Sequence, residues 1–143
     1  VDLVSACLLG FACRYDGTSR PDGALLAEAR GGALLPVCPE QMGGLATPRE
    51  PSVLVGGDGR DVLAGRARVE SEGGRDVTGA FLRGAREALR LAELSGATRA
   101  RLKSKSPSCA LASCPVRGRA APGMGVTAAL LAEHGLEIVE VDG

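Results

Sequence analysis

Short apolar runs alternate with helical patterns along this chain, and that alternation leaves few folds open. Residues 3–5 are apolar and predict a buried strand. Asp22 is placed to cap a helix through Leu25, Leu26 and Ala29, which Gly31 and Gly32 end. Residues 33–37 predict the next strand, stopped by Cys38-Pro39. A strand–helix–strand unit of this kind makes its two strands parallel. Residues 76–95 carry the strongest helical pattern: Val77, Phe81, Leu82, Ala85, Ala88, Leu89 and Ala92 share one face. Asp76 or Thr78 is expected to cap this helix, and Gly96 follows it. Residues 100–103 predict a strand, 126–134 a last helix closed by Gly135, and 136–141 a final strand. Residues 43–51 read as loop, and 53–55 and 62–69 as weaker strands in a hairpin or flap. The expected fold is α/β, a single domain over residues 1–143. Its mainly parallel sheet is flanked by helices, with a site at the carboxyl ends of the strands.

The cysteines fall where such a sheet opens. Cys7 follows the first strand, Cys38 ends the second, and Cys109 comes shortly after the strand that runs into Lys103. One sheet edge can bring the three together despite their separation along the chain. Cys13 and Cys114 complete a set of five. An odd count, with no basic leader in residues 1–10, argues against a disulfide framework and predicts a cytoplasmic protein. Free thiols pack well as small apolar groups, so buried structural cysteines stand beside metal binding as the alternative.

Composition narrows the partners. Formal net charge is zero, and the only aromatics are Phe11, Tyr15 and Phe81. Net neutrality removes the simplest electrostatic case for nucleic acid, a local basic patch being still open, and the aromatics that would stack bases are scarce. No apolar run reaches the roughly 20 residues of a membrane span.

Three motifs surround the cysteines. The first is Ser5-Ala6-Cys7-Leu8-Leu9-Gly10, followed by Arg14-Tyr15-Asp16-Gly17. The second is Pro36-Val37-Cys38-Pro39-Glu40, followed by Gly43-Gly44-Leu45 and Pro48-Arg49. The third is Ser106-Pro107-Ser108-Cys109, and Pro122-Gly123-Met124-Gly125-Val126-Thr127 follows later. In order and over nearly the whole chain, these motifs resemble those of the thiouracil desulfidases. That resemblance implies a [4Fe–4S] cluster held by Cys7, Cys38 and Cys109, with one iron free of protein ligands. It also implies non-redox hydrolysis of a carbon–sulfur bond in a thiolated pyrimidine, with Glu40 as acid/base and Ser106 assisting.

The chemistry is coherent beside the resemblance. Thiolates are the usual ligands of iron–sulfur clusters. An open iron is a Lewis acid for soft sulfur, and Glu40, two residues from a ligand, is held close enough to serve as base. Arg14, Tyr15 and Asp16 are expected to line the substrate mouth. Two departures stand out. Ala110 replaces the glycine that usually follows the third cysteine, and residues 110–121 are shorter than the family's stretch.

Three other readings remain in play. They are a sulfur or cluster carrier without catalysis, a zinc site on the same cysteines, and thiolated tRNA as substrate. The charge and aromatic counts weigh against the last, so a small thiolated nucleobase is the expected partner. Lys103 and Lys105 flank the third motif, either attracting an anion or merely solvated. Gly123-Met124-Gly125 is expected to make a tight turn before the last helix in preference to an anion site. His134 is expected to complement that helix's dipole at its last turn.

Overall fold

The computed structural model describes residues 1–143. Four strands form one parallel sheet: β1 (Asp2–Ser5), β2 (Leu34–Val37), β5 (Arg99–Lys103) and β8 (Glu137–Val141), in spatial order β2-β1-β5-β8. Side chains alternate across a strand, and β1 shows the consequence. Leu3 packs with Ala88 and Ala92 of α4 (Thr78–Ser95) and Ala128 and Leu131 of α5 (Val126–Glu133). Val4 points the other way and packs with Leu25 of α1 (Gly23–Ala29). Helices therefore cover both faces, as expected. Asp22 caps α1 through a bond from the Leu25 amide, 3.0 Å.

A second apolar nucleus lies beyond the sheet. Antiparallel β3 (Ser52–Val55) and β4 (Arg68–Ser71) bring Leu54 and Val69 against Phe81 and Ala85 of α4. The expected strand over 62–69 is corrected here. Val62 and Leu63 belong to α3 (Gly59–Leu63), and only residues 68 and 69 are extended. A capping box drives the change: the Asp58 carboxylate accepts from the Arg60 amide at 3.0 Å, and Asp61 accepts from the Asp58 amide at 3.0 Å. The cap of α4 is also refined. The N-cap position falls on Val77, neither of the expected residues; Asp76 accepts from the Thr78 amide just outside it, while the Thr78 hydroxyl accepts from the Val69 amide of β4.

Two elements escaped the sequence reading. One is α2 (Pro39–Met42), a single turn with Cys38 as its N-cap. The other is the hairpin β6 (Ser113–Val116) and β7 (Arg119–Pro122), lying beside β3. Cys114 sits there, buried in the second nucleus, and burial raises its thiol pKa.

α2 is held against α4 by two glycines. A Cβ on Gly84 would overlap the Pro39 carbonyl, and one on Gly43 would overlap that of Ala80. Gly79, on the same helix, has open space around it. Gly84→Ala is therefore expected to cost about 1–3 kcal/mol through overpacking. Gly79→Ala is expected to be neutral or to stabilise by up to about 1 kcal/mol. Thermal melts of the two variants check the pair, and an unchanged Gly84→Ala would overturn the packing argument.

Candidate functional site

Each cysteine motif is shaped by the strand it follows. After β1 the chain tightens into a 3₁₀ turn, Ala6–Leu9, closed by Gly10 at φ +93°. The positive φ suits glycine and turns the chain back, so that Cys13 comes alongside Cys7. After β2, Cys38 is extended at φ −122° and opens α2, with Pro39 and Glu40 in the first turn. After β5 the chain passes Ser104 and Lys105, a non-glycine residue at φ +59°. The Ser106 hydroxyl oxygen then accepts from the amides of Ser108 (3.1 Å) and Cys109 (3.0 Å), which folds the third motif into a turn.

That turn rests on the last helix. The amides of Val126 and Thr127 donate to the carbonyls of Pro107 and Ser108, each at 2.9 Å. The N-terminus of α5 is thus occupied by backbone, and Gly125 is small because Ser108 lies where its Cβ would be. The structure accordingly favours the packing role over an anion site. At the other end, α5 stops at Glu133, one residue short of the expected end, and His134 is its C-cap, its ring meeting the Leu130 carbonyl at 3.0 Å.

The three strand ends open on one cavity of about 690 Å³. Cys7, Cys38, Cys109, Glu40 and Ser106 all line it, with Arg14 and Tyr15. The Arg14 guanidinium lies 5.6 Å from the centre of the Tyr15 ring. Asp16 is the exception among the expected residues. It is not among the residues lining the cavity; its carboxylate accepts from the Thr18 hydroxyl (2.6 Å) and amide (3.1 Å) and stabilises its own turn. Lys103 and Lys105 also line the cavity, and burial lowers the Lys103 pKa.

A fourth thiol, unassigned from sequence, joins the three. Cys13 is buried and lines the same cavity, and its backbone carbonyl accepts from the Cys38 thiol at 3.8 Å. The bond with Cys13, reinforced by the Lys103 ammonium, holds Cys7 below the usual thiol value against the effect of burial. The bond with Cys13 and then burial raise Cys38. Burial pushes Cys109 up to about 12, despite bonds with Ser5 and Ser106. A soft metal centre entering here would displace thiol protons.

Glu40 is held at both oxygens. Arg49 Nε donates to Oε1 at 3.0 Å, and the Ser108 hydroxyl donates to Oε2 at 3.1 Å. Arg49 and Ser108 lie within the second and third motifs, but nothing in the sequence paired them with Glu40 across 9 and 68 residues.

The donor set fits an iron–sulfur cluster. It is rich in thiols, largely shielded by the surrounding turns, and drawn from three separate strand ends.

Comparison with known proteins gives three findings. The family model described as 2-thiouracil desulfurase matches residues 3–142. YbbK of Bacillus subtilis (strain 168), an uncharacterized protein, is 38% identical over 140 residues, covering 96% of this chain and 93% of its own. A solved structure of the [4Fe-4S]-dependent thiouracil desulfidase TudS superposes with a TM-score of 0.85 at 40% identity, covering 97% of this chain and 89% of that one.

Proposed function

Because the chain belongs to the 2-thiouracil desulfurase family, we propose that it is a [4Fe–4S]-dependent desulfidase that hydrolyses the carbon–sulfur bond of a thiouracil-like base. The similarity to TudS supports this activity and cofactor. Cys7, Cys38 and Cys109 are assigned as the ligands, leaving Cys13 beside them without one. The cluster these three thiolates would hold would supply an open Lewis-acidic iron for the thiocarbonyl sulfur.

The chain's own residues do the rest. A free lone pair on each Glu40 oxygen can take the proton of an attacking water, since Arg49 and Ser108 occupy only one direction apiece. The Ser106 hydroxyl accepts from two amides and lines the cavity, and its proton, otherwise directed at the Cys109 sulfur, is assigned to a pyrimidine oxygen or to the water when substrate is bound. Arg14 and Tyr15 present a cation and a flat ring at the mouth, suited to a polar aromatic base. No helix is long and apolar enough to cross a membrane.

The observation that carries the proposal is the meeting of three strand-end thiols with a fixed carboxylate in one cavity. A bare carrier of sulfur needs no such carboxylate, which favours the enzyme. Anaerobic reconstitution with iron and sulfide is expected to give a brown protein that converts 2-thiouracil or 4-thiouracil to uracil. A fully loaded chain that leaves both untouched would sink the proposal. A steep salt dependence with thiolated tRNA would point to RNA instead.

A further inference from the structure

We propose that Arg49 is a positioning residue, which sets the direction of the Glu40 carboxylate and ties it to the loops bearing the cysteines. The inference rests on the desulfidase reading and adds a residue to it.

Every nitrogen of the guanidinium has an assigned partner. Nε donates to Glu40 Oε1 at 3.0 Å. Nη1 donates to the Thr47 hydroxyl at 2.8 Å and to the Ala46 carbonyl at 3.2 Å. Nη2 donates to the Cys13 carbonyl at 2.9 Å. The side chain is only 9% exposed, and its own backbone amide donates to the Tyr15 carbonyl at 2.7 Å. A planar fork with this many fixed donors cannot pivot without breaking several bonds together.

The consequence for Glu40 follows from the other end of the same path. Ser108, buried and adjacent to Cys109, fixes Oε2. One route of hydrogen bonds therefore runs from the Cys13 loop through Arg49 and Glu40 to the Cys109 loop. Glu40 itself stands two residues beyond Cys38. The carboxylate is thereby registered to all three motifs, and its plane is set by two donors on different elements. A base held only by its own backbone would rotate about its side-chain bonds, so the productive orientation would be a minor one.

Lysine cannot reproduce this arrangement. Its single ammonium has no fork to span Glu40, Thr47 and Cys13 together. The charge would survive in Arg49→Lys, and the registration would not.

The test uses anaerobically reconstituted wild type, Arg49→Lys, Arg49→Ala and Ser108→Ala. Iron and sulfide per chain, kcat and KM for 2-thiouracil are measured on each. The expected result is wild-type KM and, per folded chain, wild-type cluster content in every variant, with a melting curve recorded first because Arg49→Ala leaves the Glu40 carboxylate without its partner. The value of kcat should fall about 10–100-fold in both Arg49 variants, a size usual for groups that orient a reacting residue. Ser108→Ala should show a smaller fall in kcat alone. Added guanidinium ion should restore part of the kcat of Arg49→Ala. Arg49→Lys turning over at the wild-type rate would overturn the inference, because charge alone would then suffice. Loss of iron and sulfide from both Arg49 variants would also overturn it, by making the residue a support of the cysteine loops. If loaded wild type itself does not desulfurate, the underlying reading fails and this inference falls with it.

Discussion

Serine in place of Cys7, Cys38 or Cys109 is expected to leave a colourless chain after anaerobic reconstitution, with no desulfurisation of 2-thiouracil. Cys114→Ser should remain brown and active. The contrast follows from placement. The three sulfurs end three different strands and face one cavity, whereas Cys114 is buried in the nucleus around Phe81. A hydroxyl is a harder and far less acidic donor than a thiol, so it is a poor ligand for iron. With only three protein ligands assigned, the loss of one leaves two, and the cluster has no other anchor in the plan. Cys13 makes the experiment sharper, because it lines the same cavity as Cys7 and Cys38. Cys13→Ser is expected to keep its iron and its activity. If it loses both, four thiols hold the cluster, no iron is open, and the hydrolytic reading fails. A buried serine hydroxyl left without a partner costs about 1–3 kcal/mol, so each variant's melting curve and circular dichroism are recorded first. A colourless variant that is folded counts; an unfolded one is replaced by alanine at the same position.

The parts of this fold legible in the sequence were those whose pattern is local. The unit β1-α1-β2 was visible because two clean apolar runs flank a helix with Asp22 at its start. The face of α4 was visible because Phe81, Ala85, Ala88 and Ala92 recur at helical spacing. Val62 and Leu63 misled because two apolar residues suit a strand or a helical turn equally. The bonds of Asp58 and Asp61 decide between the two. The hairpin β6-β7 was not visible, since Pro115, Arg119 and Pro122 break any alternation and its outer strand is largely exposed. Its partner is β3, some 60 residues earlier.

The site divides in the same way. Cys7, Cys38, Cys109 and Glu40 could be placed because each stands at or just beyond a strand end. Their spacing alone left buried thiols as an equal reading, and the family resemblance supplied the roles. Arg49, Ser108 and Cys13 stood in or beside the motifs unassigned. What each does depends on which side chain it meets across the fold, and no periodicity encodes that. Asp16 shows the converse: a residue within a motif that serves its own turn.

Glu40→Gln is expected to keep its full complement of iron and sulfide and to lose turnover of 2-thiouracil by about 10²–10⁴-fold, the usual range for a general base. Glutamine is the informative choice because it preserves shape. Its carbonyl oxygen can still accept from Arg49 Nε or from the Ser108 hydroxyl, so the loops stay joined. Alanine would leave the Arg49 guanidinium, 9% exposed, without its carboxylate. Such a loss typically destabilises by about 3–5 kcal/mol and would blur chemistry with folding. Ser106→Ala is less clean for a similar reason, since it strands the amides of Ser108 and Cys109 at a ligand's own turn. The amide of glutamine cannot take a proton from water near neutral pH, and that is the one property removed. Uracil formed per loaded cluster in a single anaerobic turnover measures the effect, with iron content read on the same sample. Wild-type speed in that variant would remove Glu40 from the chemistry. It would leave the site as a carrier of sulfur, for which a carboxylate held by Arg49 and Ser108 has no purpose.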